Sequence, residues 1–228
     1  SFLSPIFYKF LLEEKNPFRI FLFSDESWLW IYVLFIVAVL ALIIFLFFLH
    51  IPDNKSNSDR FDIRVFFNFL KSRTSYFYFF GLFSYVGIEQ GINNWSSEFL
   101  YQYHSLKPEV VGVEVISAFW GNLTIGTIIS LFLVKLIDEK KLLNIYALSS
   151  SIIVLLAIHG DSEISVLSFK LLGFSISGVW SVMISLGLNS VPRNHSVFTG
   201  ILLTGIVGGA IFPFLIAGVG QLFNLKVG

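Results

Sequence analysis

Long uncharged apolar stretches recur along this chain, and they restrict it to folds that form in lipid. The first runs from Trp28 to His50 and holds no Asp, Glu, Lys or Arg. A bilayer core of about 30 Å is crossed by about 20 residues of α-helix, so each such stretch predicts a membrane-spanning helix. Hydrophobic residues make up 55% of the chain and charged residues 13%. A soluble domain with so few charges would not cover its surface with polar groups.

We therefore predict an all-α integral membrane fold with six transmembrane helices. The spans are predicted at 28–50, 73–101, 112–136, 142–159, 164–189 and 196–223. Residues 1–27 are predicted to be the end of a preceding helix plus an extracytoplasmic loop, and residues 51–72 a cytoplasmic connection. Residues 61–70 alternate charged and bulky side chains, which fits a short interfacial helix or an early start of the second span.

The placement of Lys and Arg predicts the orientation of the chain, because cytoplasmic connections of membrane proteins are enriched in these residues. The connections 51–73, 135–141 and 190–195 carry nine of them, against five on the opposite side. We therefore place these three connections in the cytoplasm.

Several classes of function lack the residues they require. The chain has no cysteine, and its four histidines are scattered, so no metal or cofactor site is predicted. The net charge of +0 gives no basic face for nucleic acid. An intramembrane enzyme would need paired catalytic groups at membrane depth, where Glu89 is the one carboxylate. We therefore expect a protein that is not an enzyme.

The two ends of the sequence suggest a piece of a longer protein. The chain begins at Ser1 within an apolar run, without a signal-peptide pattern, and stops at Gly228 just after another apolar run. We expect residues 225–228 to be a truncated end. A complete six-helix channel or assembly factor is the alternative.

The second predicted span carries an unusual density of polar side chains. Tyr85, Glu89 and Asn93 are spaced by four and therefore share one helix face, with Gln90 and Asn94 beside them. A carboxylate within a span usually faces a bundle interior or an aqueous cavity, because unpaired polar groups in hydrocarbon are costly. The alternative is that these groups bond to adjacent helices and hold the bundle together.

These groups suit a hydroxyl-rich solute, because amides and carboxylates bond hydroxyl groups and aromatic rings stack on the apolar face of a sugar. Trp95 is included in the predicted site, although tryptophan also marks the membrane interface. Lys170, in the fifth span, either extends to the interface or lies in the solute pathway, where it would pair with Glu89. Glycines four residues apart predict close helix contacts at two places: Gly87 with Gly91, and Gly205 with Gly209.

Four motifs, in order along residues 28–224, resemble the fucose permease-like branch of the major facilitator superfamily. Tyr85-Val86-Gly87-Ile88-Glu89 with Trp95 is similar to that branch's seventh helix, and Phe119-Trp120-Gly121 to the start of its eighth. Residues 180–186 stand where the family shows an aromatic-Pro-Thr motif, and residues 205–213 resemble its eleventh helix. Two positions depart from the pattern: Thr127 stands where relatives often have arginine, and Ser181-Val182 replaces Pro-Thr.

The resemblance implies that residues 28–50 are the sixth helix of a twelve-helix transporter and that residues 73–224 are helices seven to eleven. The chain would then form most of the C-terminal half, with the missing N-terminal half as its partner. The implied activity is uptake of a monosaccharide coupled to a cation, usually a proton, across a bacterial inner membrane. The predicted substrate-binding residues are Tyr85, Glu89, Gln90, Asn93, Asn94, Trp95 and Trp120. A drug or amino-acid carrier of the same superfamily is the alternative.

Overall fold

The computed structural model describes residues 29–49 and 63–228, and their regular structure is helical throughout. The predictions made for residues 1–27 and 51–62 lie outside these ranges. The α-helices are α1 (Leu29–Phe48), α2 (Ile63–Leu70), α3 (Arg73–His104), α4 (Val113–Leu136), α5 (Glu139–His159), α6 (Ser162–Ile176), α7 (Val179–Asn189), α8 (His195–Leu203) and α9 (Gly208–Leu222). A π-helical turn, Pro108–Gly112, precedes α4, and a 3₁₀ turn, Thr204–Val207, joins α8 to α9.

Helix α1 is a unit of its own and is apolar all round. Its side chains from Tyr32 to Phe48 are exposed. A helix without a polar face is typical of a membrane span, since lipid solvates every side of it equally well.

Helix α2 is separate from α3. Residues 63–70 therefore form a short helix of their own rather than an early start of the second predicted span. It ends at Leu70, and the amide of Ser72 donates to the Phe69 carbonyl at 2.9 Å before α3 begins at Arg73. The Phe69 ring packs against Phe198 of α8, with ring centroids 5.4 Å apart. This contact fixes α2 to the helix bundle.

Four helical stretches of the described residues are long and apolar enough to cross a membrane: Pro108–Leu136, Glu139–His159, Ser162–Asn189 and His195–Leu222. The apolar stretch Tyr32–Phe48 is shorter. Helix α3 has 32 residues, about 48 Å at 1.5 Å per residue, but it is more polar than the other four. The chain is a multi-pass membrane protein.

Two of the predicted spans are broken rather than continuous helices. The fifth is divided between α6 and α7 at Ser177 and Gly178, and the sixth is tightened into the 3₁₀ turn between α8 and α9. Interrupted helices inside a membrane must find other partners for the backbone groups they release. Here the hydroxyl of Thr127, on α4, is shared between the Leu123 carbonyl of its own helix at 2.8 Å and the Ser177 carbonyl at 3.1 Å.

Glycines allow the helices to pack closely along two contacts. Between α3 and α9, a methyl group at Gly87 would overlap Phe212, and one at Gly208 would overlap the Phe83 carbonyl oxygen. Between α4 and α6, a methyl group at Gly173 would overlap the Phe119 carbonyl oxygen. Small residues at such positions let two backbones approach within van der Waals distance, which is a main source of stability in lipid.

Candidate functional site

A polar stripe is formed by Glu89, Gln90 and Asn93 of α3 together with Trp120 of α4, and it begins one turn beyond Tyr85. Tyr85 is buried and lies one turn before Glu89 on the same face of the helix. The centroid of the Tyr85 ring lies 6.2 Å from that of Trp180, which is the second residue of α7. Helix α7 therefore packs against the Tyr85 ring.

Glu89 and Gln90 are half-buried and adjacent. The Gln90 side-chain nitrogen, Nε2, is 3.4 Å from Glu89 Oε1. The partner described for this carboxylate is its neighbour Gln90 on α3, so the acid is oriented by its own helix. Its side chain is only partly covered by the helix bundle.

Asn93 is joined to α4 by a hydrogen bond from Trp120. The indole nitrogen of Trp120 donates to Asn93 Oδ1 at 2.8 Å, and both residues are half-buried. The bond uses the oxygen of the Asn93 amide and not its nitrogen. The structure thus brings together a residue predicted from spacing and one predicted from family resemblance.

Asn94 and Trp95 do not join this group. Asn94 is exposed and donates to the Gln90 carbonyl of its own helix at 2.7 Å. The indole nitrogen of Trp95 donates to the Pro213 carbonyl of α9 at 3.0 Å. Residues two apart on a helix are about 200° apart around its axis, so Trp95 lies on the opposite side of α3 from Asn93.

A cavity of about 590 Å³ lies on this opposite side of α3. It is lined by residues of α3, α5, α6 and α9, among them Ile88, Trp95, Val154 and Phe212. Its lining is mostly apolar. The serines that reach it from α5, Ser150 and Ser151, donate to the carbonyl of Ala147 in their own helix. Trp95 is the one predicted site residue that lines this cavity.

Lys170 pairs with Glu114 rather than with Glu89, the pathway partner considered for it. The two charged groups are 2.5 Å apart and connect α6 with the first turn of α4. Asn122 of α4 also donates to the Lys170 backbone carbonyl at 2.9 Å. These three residues therefore tie α4 to α6, where Gly173 already allows close packing.

The sequence did not identify the polar residues that connect α4 to α6. They are Glu114, Asn122 and Thr127 of α4. The available signal was the presence of polar side chains in otherwise apolar spans, since such groups seek partners on neighbouring helices. Spacing along one helix does not reveal which neighbour supplies the partner.

Comparison with known proteins gives matches to transporters, although no family model matches the chain. A "Glucose/galactose transporter" of Brucella abortus biovar 1 is 29% identical over 141 residues, which are 59% of this chain and 33% of the relative. The "Protein TsgA homolog" of Buchnera aphidicola subsp. Baizongia pistaciae is 24% identical over 200 residues, which are 86% of this chain and 49% of that protein. The matched part is thus a third to a half of each relative's length.

The fold matches a solved transporter over almost the whole chain. The crystal structure of the E. coli fucose:proton symporter, FucP, superposes with a TM-score of 0.74 at 15% sequence identity, covering 98% of this chain and 60% of FucP. The predicted all-α membrane fold is confirmed, and so is the resemblance to the fucose permease-like branch. The chain therefore shares the fold of FucP over almost its whole length.

Proposed function

We propose that the complete protein is a secondary transporter that takes up a monosaccharide by alternating access. The observation that carries this proposal is the joined polar stripe on α3 and α4: Glu89, Gln90, Asn93 and Trp120. A carboxylate and two amides offer both acceptors and donors to sugar hydroxyls, and an indole beside them offers a stacking surface. The glucose/galactose transporter among the relatives supports a sugar as the solute.

The stripe lies on the surface of one helix bundle, which suits a site completed by a second bundle. We propose that an N-terminal half of the complete protein faces α3 and α4 and encloses the solute near the middle of the membrane. In this proposal residues 28–50 and 73–224 correspond to helices six to eleven of the transporter, and residues 51–72 join its halves in the cytoplasm. The membrane would be a bacterial inner membrane, because uptake coupled to a cation needs a membrane that maintains an ion gradient.

We assign different parts to the predicted site residues. Glu89, Gln90, Asn93 and Trp120 contact the solute, and Tyr85, one turn before Glu89, supports this face of α3 through its ring contact with Trp180. Asn94 lies at the exposed edge of the stripe and contacts a solute there. Trp95 instead fixes α3 to α9, because its indole bonds the Pro213 carbonyl.

We further propose that the coupling cation is a proton and that Glu89 responds to it. The described hydrogen bond to the Glu89 carboxylate, from Gln90, uses one of its two oxygens, which leaves the other as an acceptor for the solute when the acid is ionised. Protonation would convert one oxygen into a donor and change the bonds it makes to a sugar hydroxyl. The structural relative is a proton symporter by its description, which supports a proton over sodium.

Uptake by the complete protein in proteoliposomes tests this proposal. Labelled glucose, galactose and fucose should be compared, with and without an imposed pH gradient. Glu89→Gln should reduce uptake at least tenfold and weaken its dependence on the gradient. Glu98→Gln is the matched control. Glu98 is also on α3, but it lies more than two turns beyond Glu89 and accepts a hydrogen bond of 2.7 Å from Gln102.

A cysteine introduced at position 93 gives an independent measurement, because residues 1–228 contain no cysteine of their own. The Asn93→Cys variant should react with a water-soluble thiol reagent, and the transported sugar should protect it. Unchanged uptake in Glu89→Gln, together with an Asn93→Cys variant that does not react, would mean that the stripe only packs the bundle.

The apolar cavity beside Trp95 favours a second candidate, a carrier for a hydrophobic solute such as a drug. Its lining from Ile88, Phe212 and Ile216 suits an apolar molecule better than a sugar. If this candidate is correct, a hydrophobic substrate should be transported and Ile88→Trp, which fills the cavity, should block it. Sugar uptake that is indifferent to Ile88→Trp would leave the polar stripe as the site.

A further inference from the structure

An open groove lies at the beginning of α3, far along the helix from the polar stripe. It has a volume of about 410 Å³ and is lined by Lys71, Arg73, Tyr76, Phe77 and Phe80. The connection that contains Lys71 is predicted to be cytoplasmic. In that orientation the groove lies where α3 enters the membrane from the cytoplasmic side.

The two cations of this groove are exposed and have no carboxylate partner among the described residues. The guanidinium of Arg73 lies over the Phe77 ring, 5.4 Å from its centroid. The first turn of α3 contains no acidic residue. The mouth of the groove thus carries positive charge that the helix bundle leaves uncompensated.

The aromatic residues of the groove continue from these cations into the membrane. Tyr76, Phe77 and Phe80 are 53%, 65% and 54% exposed, and the rings of Tyr76 and Phe80 are stacked with centroids 6.2 Å apart. Phe80 is seven residues beyond Arg73, which is about 10 Å along the helix axis. A ligand with an anionic head followed by an apolar chain would match this order of a cationic surface followed by an aromatic one.

Helix α2 places the groove at the depth of the lipid headgroups. It is strongly amphipathic, with Arg64 and Asn68 on one side, while Ile63 and Phe67 are exposed and apolar. A short helix of this kind lies in the interface between headgroups and acyl chains. Since Lys71 follows α2 directly, an interfacial α2 brings its ammonium group to the level of the phosphates of the same leaflet.

We propose that this groove binds one anionic phospholipid of the cytoplasmic leaflet. Its phosphate contacts Lys71 and Arg73, and one acyl chain lies along Tyr76, Phe77 and Phe80. Two observations support this ligand: its phosphate complements the charge of the two cations, and the cations are followed along α3 by the aromatic residues. The proposal requires the membrane location and the predicted orientation of the chain but not the identity of the transported solute.

Native mass spectrometry of the complete protein tests the proposal, with dioleoyl phosphatidylglycerol and dioleoyl phosphatidylcholine as competing lipids. The unmodified protein should retain the anionic lipid in preference to the zwitterionic one. A cation near a membrane surface contributes roughly a fivefold factor, so Lys71→Gln with Arg73→Gln should weaken retention about 25-fold. Lys140→Gln with Lys141→Gln is the control, because these exposed lysines begin α5 without an aromatic groove beside them.

Two further measurements separate a lipid from a free phosphate and from misfolding. Phe80→Ala should lower retention of the phospholipid, whereas glycerol phosphate without acyl chains should not compete for the groove. Thermal unfolding checks that each variant is folded, and the single variant Lys71→Gln replaces the double one if it is not. Equal retention of both lipids, or equal loss in the two double variants, would overturn the proposal, as would full competition by glycerol phosphate.

Discussion

Trp120 and Asn93 are joined by a hydrogen bond of 2.8 Å from the indole nitrogen to the amide oxygen. The bond connects α4 to the polar face of α3 beside Glu89 and Gln90. It fixes the direction in which the Asn93 amide points, because the oxygen is the acceptor. The same bond holds the indole at the edge of the stripe, where a solute would meet its ring.

Trp120→Phe should weaken solute uptake, because it keeps an aromatic ring but removes the donor to Asn93. A hydrogen bond of this kind contributes about 1 kcal/mol, so the KM for uptake should rise about fivefold. Trp95→Phe is the matched control, since it removes an indole donor from the opposite side of α3. We expect Trp95→Phe to lower thermal stability without raising KM. Equal effects of the two variants on KM would contradict this division of roles.

Gly208→Ala should destabilise the contact between α3 and α9. The added methyl group would overlap the Phe83 carbonyl oxygen, and overpacking of this kind costs about 1–3 kcal/mol. Gly218→Ala, in the same helix, is the control, because nothing lies within 4 Å of its added methyl group. Thermal unfolding in detergent should show a lower Tm for Gly208→Ala and an unchanged or higher one for Gly218→Ala. A neutral Gly208→Ala would show that the two helices separate easily.

Glu114 and Lys170 should behave as a coupled pair that does not involve Glu89. Their side chains are 62% and 23% exposed, so the pair contributes at most about 1 kcal/mol, and single changes should have small effects on stability. Each charge reversal alone should lower the thermal stability. The double exchange Glu114→Lys with Lys170→Glu should restore it. Coupling measured instead between Lys170→Gln and Glu89→Gln would contradict the observed pairing.

Thr127→Val should loosen the break between α6 and α7. The Thr127 hydroxyl is shared between the Leu123 carbonyl of its own helix at 2.8 Å and the Ser177 carbonyl at 3.1 Å, and valine has nearly the same shape without the donor. We expect a loss of up to about 1 kcal/mol, read as a lower Tm. Thr124→Val is the control, since the Thr124 hydroxyl makes the same kind of bond within α4, to the Trp120 carbonyl, but has no described acceptor on another helix. A larger loss in Thr124→Val would mean that the tie across the helices is unimportant.

The common helix face of Tyr85, Glu89 and Asn93 was predictable because these residues lie four apart on one helix. Trp120 was predictable only from family resemblance, since nothing in its spacing relates α4 to Asn93. Trp95 was predicted to share a site with Asn93, but in the structure it faces α9 and Asn93 faces α4. Its two-residue distance from Asn93 already indicated the opposite side of the helix.

The membrane fold class followed from the amino-acid sequence alone, because hydrophobic length is a property of consecutive residues and needs no partner. Three-dimensional packing was needed to show that Lys170 meets Glu114, that Trp95 bonds α9, and that the fifth and sixth apolar stretches are interrupted helices. These features depend on which helices become neighbours and how closely their backbones approach. A periodic pattern defines the faces of a helix, but the residue opposite each face comes from distant parts of the chain.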